Sequence, residues 1–333
     1  MLDLDTFLLM IYVEIDDWYQ QVIAPVKPKR GKPPQFQDSE ALTVAVLSEW
    51  RAGVPWQSER GCLRYLHQYY GDWFPHLPHI SAFNERKRHL FGVLVQLQQQ
   101  LARRWTSLYE SADSLVLPAG SLGQRQREKG HWLWESDIGK APHGYFWGDR
   151  WLASVTQVGA ISGWLVGTAS LNDRWLMEAF VSTRAGQPQL VEPPRRTKDA
   201  RSQHTPPPTG FIGGFAAVGQ LLGEAYLADG NFNGRRWLTH WQECYGATVI
   251  ARPRYNEKVR WSKALVRWLR QRRQIVETAF AVLERVFAIK HLQAHSRWGQ
   301  YTRLAAKAAA YNLGMWLNEC LQRPRLALET LLC

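Results

Sequence analysis

A change in hydrophobic pattern near residue 110 constrains the fold of this 333-residue chain more than any other sequence feature. Before it, apolar residues recur at helical spacing, which predicts helices over 1–20, 40–52, 57–70 and 81–105. After it, short strand patterns alternate with helical ones, as is typical of a mixed sheet with flanking helices. The sequence therefore predicts an α/β fold with an N-terminal all-helical domain and a helical C-terminal tail.

We expect the all-helical domain to span residues 1–108, the α/β domain 109–295 and the tail 296–333. Two interpretations of the first domain remain open, a helix-turn-helix DNA-binding unit and a plain helical bundle. Residues 184–210 contain six prolines and few apolar residues, which predicts a flexible insertion. A helix is predicted near 215–222.

Several function classes lack their sequence motifs. The chain has no phosphate-binding P-loop motif, no GxGxxG dinucleotide motif, no HExxH zinc motif and no GxSxG serine elbow. Its four cysteines form no CxxC pair. No signal-peptide pattern or long uncharged apolar run is present, so we expect a cytoplasmic protein without a membrane partner.

The net charge of +12 favours a polyanionic partner. Basic residues outnumber acidic ones by eleven to three between 251 and 290, and a second basic group follows Asp113. A solvated helix face is the alternative explanation of the longer band. The candidate phosphate contacts come from these two basic groups and are Arg252, Arg254, Lys258, Arg270, Arg273, Arg125 and Arg127.

Three acidic residues stand where strands or a long helix are predicted. Asp113 lies in the first apolar strand, Asp229 ends a later strand, and Glu277 borders the buried stripe of the helix that follows. Taken singly, they could be an edge residue, a turn former and half of an ion pair with Arg273. Together they could converge, and three oxygen ligands suit Mg²⁺ or Mn²⁺. A pair of such ions can activate an attacking hydroxyl and stabilise a leaving oxygen at phosphorus.

Five segments then make the chain resemble a DDE-type transposase of a bacterial insertion sequence, with an RNase H-like catalytic domain. The strand at 113–118 resembles the family's DS-x-x-x-P pattern, and 144–151 resembles the strand that follows. Residues 169–173 resemble A-x-x-x-D, 227–232 resemble the L-x-D-x-G-Y box, and 273–277 carry R-x3-E. The order and spacing of these boxes are more specific than any one of them.

This resemblance implies a function and a set of residue roles. Asp113, Asp229 and Glu277 would be the catalytic, metal-binding triad, and Arg273 would orient Glu277 or a phosphate. Two Mg²⁺ ions, for which Mn²⁺ can substitute, would support DNA cleavage at the element ends and transfer of the 3′-hydroxyl to target DNA. The implied partner is double-stranded DNA, namely terminal inverted repeats and target DNA. A homodimer or larger assembly in the nucleoid is expected.

Other functions stay open at the level of the sequence. One is a metal-dependent nuclease of the same fold, which would cleave DNA or RNA without joining the ends. Another is a decayed or domesticated copy that binds DNA without catalysis. A structural or protein-interaction module has only the acidic N-terminal helix in its favour.

Overall fold

A computed structural model describes residues 2–28, 31, 34–122, 136–141, 144–187, 216–217, 219, 223–253 and 258–332. The chain divides into two compact units. We call Met1–Ala102 with Ala281–Cys333 the helical unit, and Arg103–Phe280 the α/β unit. The second stretch of the helical unit contains the whole segment predicted as a C-terminal tail, 296–333.

The helices are, in chain order, α1 Leu4–Trp18, α2 Asp38–Leu47, α3 Glu59–Tyr69, α4 Ile80–His89, α5 Phe91–Ala102, α6 Asp173–Arg184, α7 Arg235–Tyr245, α8 Lys263–Phe287 and α9 Arg297–Cys320. A π-helical turn, Tyr19–Ile23, follows α1, and short 3-10 helices occupy Gly230–Phe232 and Leu328–Thr330. The strands are β1 Glu110–Gly120, β2 Asp137–Ala141, β3 Gly144–Thr156, β4 Ile161–Thr168, β5 Ala216–Ala217, β6 Tyr226–Ala228 and β7 Val249–Ala251. None of the helices in the described part of the chain is both long and apolar enough to cross a membrane.

The helical unit packs around large aromatic side chains. The fully buried Trp50 ring lies edge-on to Phe7 of α1 at 5.0 Å and to Phe287 at 4.9 Å. Helix α9 packs against α2, α4 and α5, and the Asn312 side chain donates a 2.9 Å hydrogen bond to the Gln98 carbonyl. The helix predicted over 81–105 is in fact two helices, because the chain leaves helical geometry at Leu90 between α4 and α5.

The α/β unit is built on one mixed sheet with the strand order β5-β4-β3-β1-β6-β7, and β2 pairs with β3. Strands β1, β3 and β4 are antiparallel neighbours, whereas β1, β6 and β7 run parallel. This confirms the predicted α/β class, with a mixed, RNase H-like sheet preceded in the chain by N-terminal helices and followed by C-terminal helices.

Helices cover both faces of the sheet. Alternate residues of a strand point to opposite faces. One face, which includes Leu152 and Tyr226, forms a buried core with α6 and α7. On the other face Trp151 contacts Phe280 of α8, with ring centroids 5.8 Å apart. Since Asp113 pairs with Ala153, two residues from Trp151, the Asp113 side chain lies on the face covered by α8.

Two local predictions are corrected. The helix predicted near 215–222 is wrong at its start, because Ala216 and Ala217 pair with β4 as a strand. The first residue of the predicted insertion, Arg184, ends α6 instead, and its guanidinium lies 2.7 Å from the buried Glu110 carboxylate. Residues 188–210 of that insertion lie outside the described residues.

Candidate active site

The strand register brings Asp113 and Asp229 side by side. Ala112 of β1 pairs with Ala228 of β6, which in turn pairs with Ala251 of β7. Asp113 and Asp229 each come one residue later, so they take neighbouring positions on one face. Parallel strands end in the same direction, and ligand sites of open α/β sheets lie at their carboxyl ends. The short apolar strands therefore position both carboxylates at that edge.

Arg273 of α8 connects the two carboxylates. Its Nη2 atom lies 2.8 Å from Asp113 Oδ2, and its Nη1 atom lies 3.8 Å from Asp229 Oδ1. The Arg273 side chain is 12% exposed, against 24% for Asp113 and 48% for Asp229. The sequence left open an ion pair between Arg273 and Glu277, but the guanidinium instead pairs with the two aspartates.

The protein environment disfavours the charged form of Asp113. Burial raises the pKa of Asp113 to about 6, even though Arg273 and the Ser114 backbone N–H act to lower it. The nearby carboxylates of Asp229 and Asp173 also raise this pKa. Asp229 differs because it is half-exposed and its Oδ1 accepts a 2.6 Å hydrogen bond from the Gly230 backbone N–H. The site therefore holds more negative charge than Arg273 alone neutralises.

A third acid, Asp173, extends the site. It is the first residue of α6, and Asn172 rather than Asp173 caps the helix. Asp173 Oδ1 accepts a 2.6 Å hydrogen bond from the Ser114 hydroxyl and lies 3.8 Å from Arg150 Nη1. The predicted site residues did not include Asp173, Ser114 and Arg150. The sequence did contain a signal for two of these residues. Ser114 follows Asp113 directly, and Asp173 ends the segment that resembles A-x-x-x-D.

Glu277 lies one helical turn after Arg273 on α8 and is exposed. Among the described residues it makes no hydrogen bond or ion pair. The structure thus brings Asp113 and Asp229 together through Arg273, and it leaves Glu277 on the exposed side of the same helix segment. Its predicted role as the third metal ligand stays a prediction.

The residues predicted to contact DNA are spread over the α/β unit. Arg252 follows β7 directly. Its backbone oxygen lies 3.6 Å from the position that a Cβ atom would take at Gly230, the residue after Asp229. Arg252 therefore stands beside Asp229. The side chains of Arg252, Lys258 and Arg270 are exposed. By contrast, the Arg273 side chain is 12% exposed. Arg125, Arg127 and Arg254 lie outside the described residues.

The donor atoms at this edge suit a hard divalent cation. No group of three His, Cys, Asp or Glu side chains comes close enough to share a metal ion within the residues the structure describes. Asp113 and Asp229 nevertheless supply two carboxylates, and Mg²⁺ is commonly held by one or two carboxylates together with water and substrate phosphates. The raised pKa of the partly buried Asp113 indicates that added positive charge is favourable there.

Comparison with known proteins agrees with this geometry. Residues 177–313 match the family model described as a transposase DDE domain. The match includes Asp229, Arg273 and Glu277, whereas Asp113 precedes its first residue. No curated protein matches the chain, and neither does any solved structure.

The DDE-domain match confirms the resemblance to DDE-type transposases that the sequence motifs indicated. The match starts within α6 and continues into α9, so it takes in β6, β7 and α8 of the α/β unit. These elements carry the carboxyl end of the parallel strand pair and the Arg273 helix.

Proposed function

We propose that the chain is a transposase that cleaves DNA at the ends of a mobile element and joins the freed 3′-hydroxyl to target DNA. The observation that carries this proposal is the convergence of Asp113 and Asp229 on Arg273 at the carboxyl ends of β1 and β6. A site with two carboxylates and a guanidinium suits a phosphodiester, because the acids can hold cations and the arginine can bind phosphate.

Each residue has a role in this proposal. Asp113 and Asp229, with Glu277 as the expected third ligand, would hold Mg²⁺ or Mn²⁺, with two ions in the complete site. Bound there, such ions activate an attacking hydroxyl and stabilise the leaving oxygen at phosphorus. Arg273 fixes the orientation of both aspartates and presents a guanidinium to the phosphate. Ser114 donates a hydrogen bond to Asp173, whose carboxylate acts electrostatically on Asp113.

The exposed basic residues would hold the DNA backbone. Arg252 stands next to Asp229, Arg270 lies one turn before Arg273 on α8, and Lys258 lies between β7 and α8. Contacts of this kind are sequence-independent and weaken with salt. Arg125, Arg127 and Arg254 are proposed to act in the same way. Cutting two element ends together requires a homodimer or larger assembly on DNA.

The test is an excision and integration assay in cells with a marked element that carries the native flanking DNA. Wild type is compared with Asp229→Asn and with the control Glu243→Gln, which removes an exposed acid from α7 of the same unit. We expect Asp229→Asn to reduce products at least about 100-fold, since even outer-shell partners of a metal contribute 10- to 100-fold. Glu243→Gln should match wild type.

The other outcomes assign the other functions. Cleaved ends without joined products would indicate a nuclease of the same fold. DNA binding without any product from wild type would indicate a non-catalytic DNA-binding protein. Products that persist in Asp229→Asn would overturn the assignment of the carboxylate site.

A further inference from the structure

The helical unit contains a cavity of about 380 Å³ with basic walls. Three cationic side chains line it, Lys87 and Arg88 of α4 and Arg303 of α9. The segment Gln293–Ser296, which leads into α9, forms another wall. All of these residues belong to the helical unit, so the cavity is separate from the carboxylate site of the α/β unit.

Beneath the cavity, two of the lining cations extend into a buried charge network. Lys87 Nζ lies 2.7 Å from both Glu49 and Glu59. Arg303 lies 3.2 Å from Glu49 and 3.3 Å from Glu59. Lys307 and Arg51 also contact Glu49, at 2.7 and 3.9 Å. Both glutamates and Lys87 are at most 2% exposed.

This network carries more positive than negative charge. Two carboxylates face four cationic side chains, which leaves a net charge of +2 before Arg88 is counted. Arg88 is half-buried and has no acidic partner within the described residues. Burying unpaired charge is costly, and an anion in the cavity would offset that cost.

The walls match a phosphate group in particular. The Arg88 guanidinium can form paired hydrogen bonds with phosphate oxygens, and Arg303 and Lys87 add positive charge beside it. The cavity also lies beside the first turn of α9, whose N-terminal end favours negative charge. Gln293 takes a left-handed backbone conformation, with φ of 51°, in the segment that closes one wall.

We propose that this cavity binds a backbone phosphate of the DNA on which the transposase acts. This inference rests on the proposed function for the identity of the partner. The cation excess, the size of the cavity and Arg88, which has no acidic partner in the part of the chain that the structure describes, carry the phosphate site itself. Lys87 and Arg303 would bind the phosphate from below, and the Glu49–Glu59 pair would hold those two cations in place.

The test is the salt dependence of DNA binding by the full chain, measured by fluorescence anisotropy with a duplex that carries the native element end. Arg88→Gln should reduce the affinity about 5- to 10-fold at 0.1 M salt and lower the log–log salt slope by about one. Asn84→Asp, which places a carboxylate on the lining one turn before Arg88, should act in the same direction. The control Arg64→Gln removes an exposed arginine of α3 that does not line the cavity.

Inorganic phosphate provides a second probe, measured by isothermal titration calorimetry without DNA. Wild type and Arg64→Gln should bind phosphate, and Arg88→Gln should bind it more weakly. If Arg88→Gln loses phosphate binding but keeps the wild-type DNA affinity and salt slope, the cavity takes free phosphate and the DNA proposal is overturned. If both probes are unchanged by Arg88→Gln, the phosphate site itself is overturned. Neither result depends on strand cleavage, so a failure of the catalytic proposal is distinguished from a failure of this one.

Discussion

The two units each contain a cluster of charged side chains, and the two clusters have opposite charge balance. In the helical unit, Glu49 and Glu59 face four cationic side chains. Among the described residues of the α/β unit, Asp113, Asp229 and Asp173 pair with two cationic side chains, Arg273 and Arg150. The first network keeps an excess of positive charge and the second an excess of negative charge. A residual charge of either sign marks a place where a ligand of the opposite sign stabilises the protein.

The pKa directions follow the same balance. Burial alone would raise the pKa of Glu49, but Lys307, Lys87 and Arg303 outweigh it and hold that pKa well below its usual range. Burial, together with two neighbouring acids, raises the pKa of Asp113 to about 6, because the Arg273 guanidinium does not outweigh these effects. A carboxylate surrounded by cations supports the fold, whereas one with too few cations is held at a cost in stability.

Glu49→Gln should have the largest effect on stability. It would leave Lys87, Lys307 and Arg303 buried around a single carboxylate, Glu59, and breaking a buried ion pair in this way costs about 3–5 kcal/mol. The measurement is hydrogen exchange of peptides from α2 and α9, whose opening free energies should fall. The control Glu319→Gln breaks the exposed pair with Arg325 and should cost less than about 1 kcal/mol.

The effect of Glu49 should also depend on pH in a defined direction. Its pKa is lower in the folded protein, so its stabilisation is present above the pKa of the unfolded chain and is lost as the pH falls through the folded value. The difference between wild type and Glu49→Gln should therefore be largest near pH 7 and shrink below about pH 4.3. A difference that is the same at pH 7 and pH 3 would contradict this account.

The sequence predicted the carboxylate site better than the buried network. Asp113 and Asp229 stand at the ends of apolar strands, and strand ends have a known place in a sheet. The ion-pair partner of Arg273 was not predictable from the sequence. Helical spacing places Glu277 one turn after Arg273, whereas the fold brings two aspartates to its guanidinium. Glu49 and Arg303 are 254 residues apart and join two helical segments, so only the tertiary structure reveals their contact.

The secondary-structure elements, like the charged sites, were predictable only in part from the sequence. The helices predicted over 1–20, 40–52 and 57–70 form near those positions, whereas the helix predicted over 81–105 divides at Leu90. Ala216 and Ala217 were assigned to a helix because short apolar runs do not distinguish a helix from a strand. Pairing with β4, a tertiary contact, decides the outcome there.

Asp113→Asn tests the excess of negative charge in the α/β unit and should stabilise that unit. The substitution removes a carboxylate whose burial and acidic neighbours disfavour its charge, so at pH 8 without divalent ions we expect a gain of about 1–3 kcal/mol. Hydrogen exchange of peptides from β1 and β6 measures it, and Glu243→Gln serves as the control. A loss of stability would mean that the ion pair with Arg273 outweighs the cost of burying Asp113.

Added Mg²⁺ should produce the smallest of these effects and should act on one unit alone. At a concentration ten times the dissociation constant, binding to Asp113 and Asp229 stabilises the fold by about 1.4 kcal/mol, which raises the midpoint of unfolding by a few degrees. The measurement is scanning calorimetry combined with hydrogen exchange, at constant ionic strength. Protection should increase in peptides from β1 and β6 of wild type and not in Asp113→Asn or Asp229→Asn, while peptides of the Glu49 network stay unchanged. Equal protection of both regions would indicate a general salt effect, and no protection of β1 and β6 would mean that the aspartates bind the ion only together with DNA phosphates.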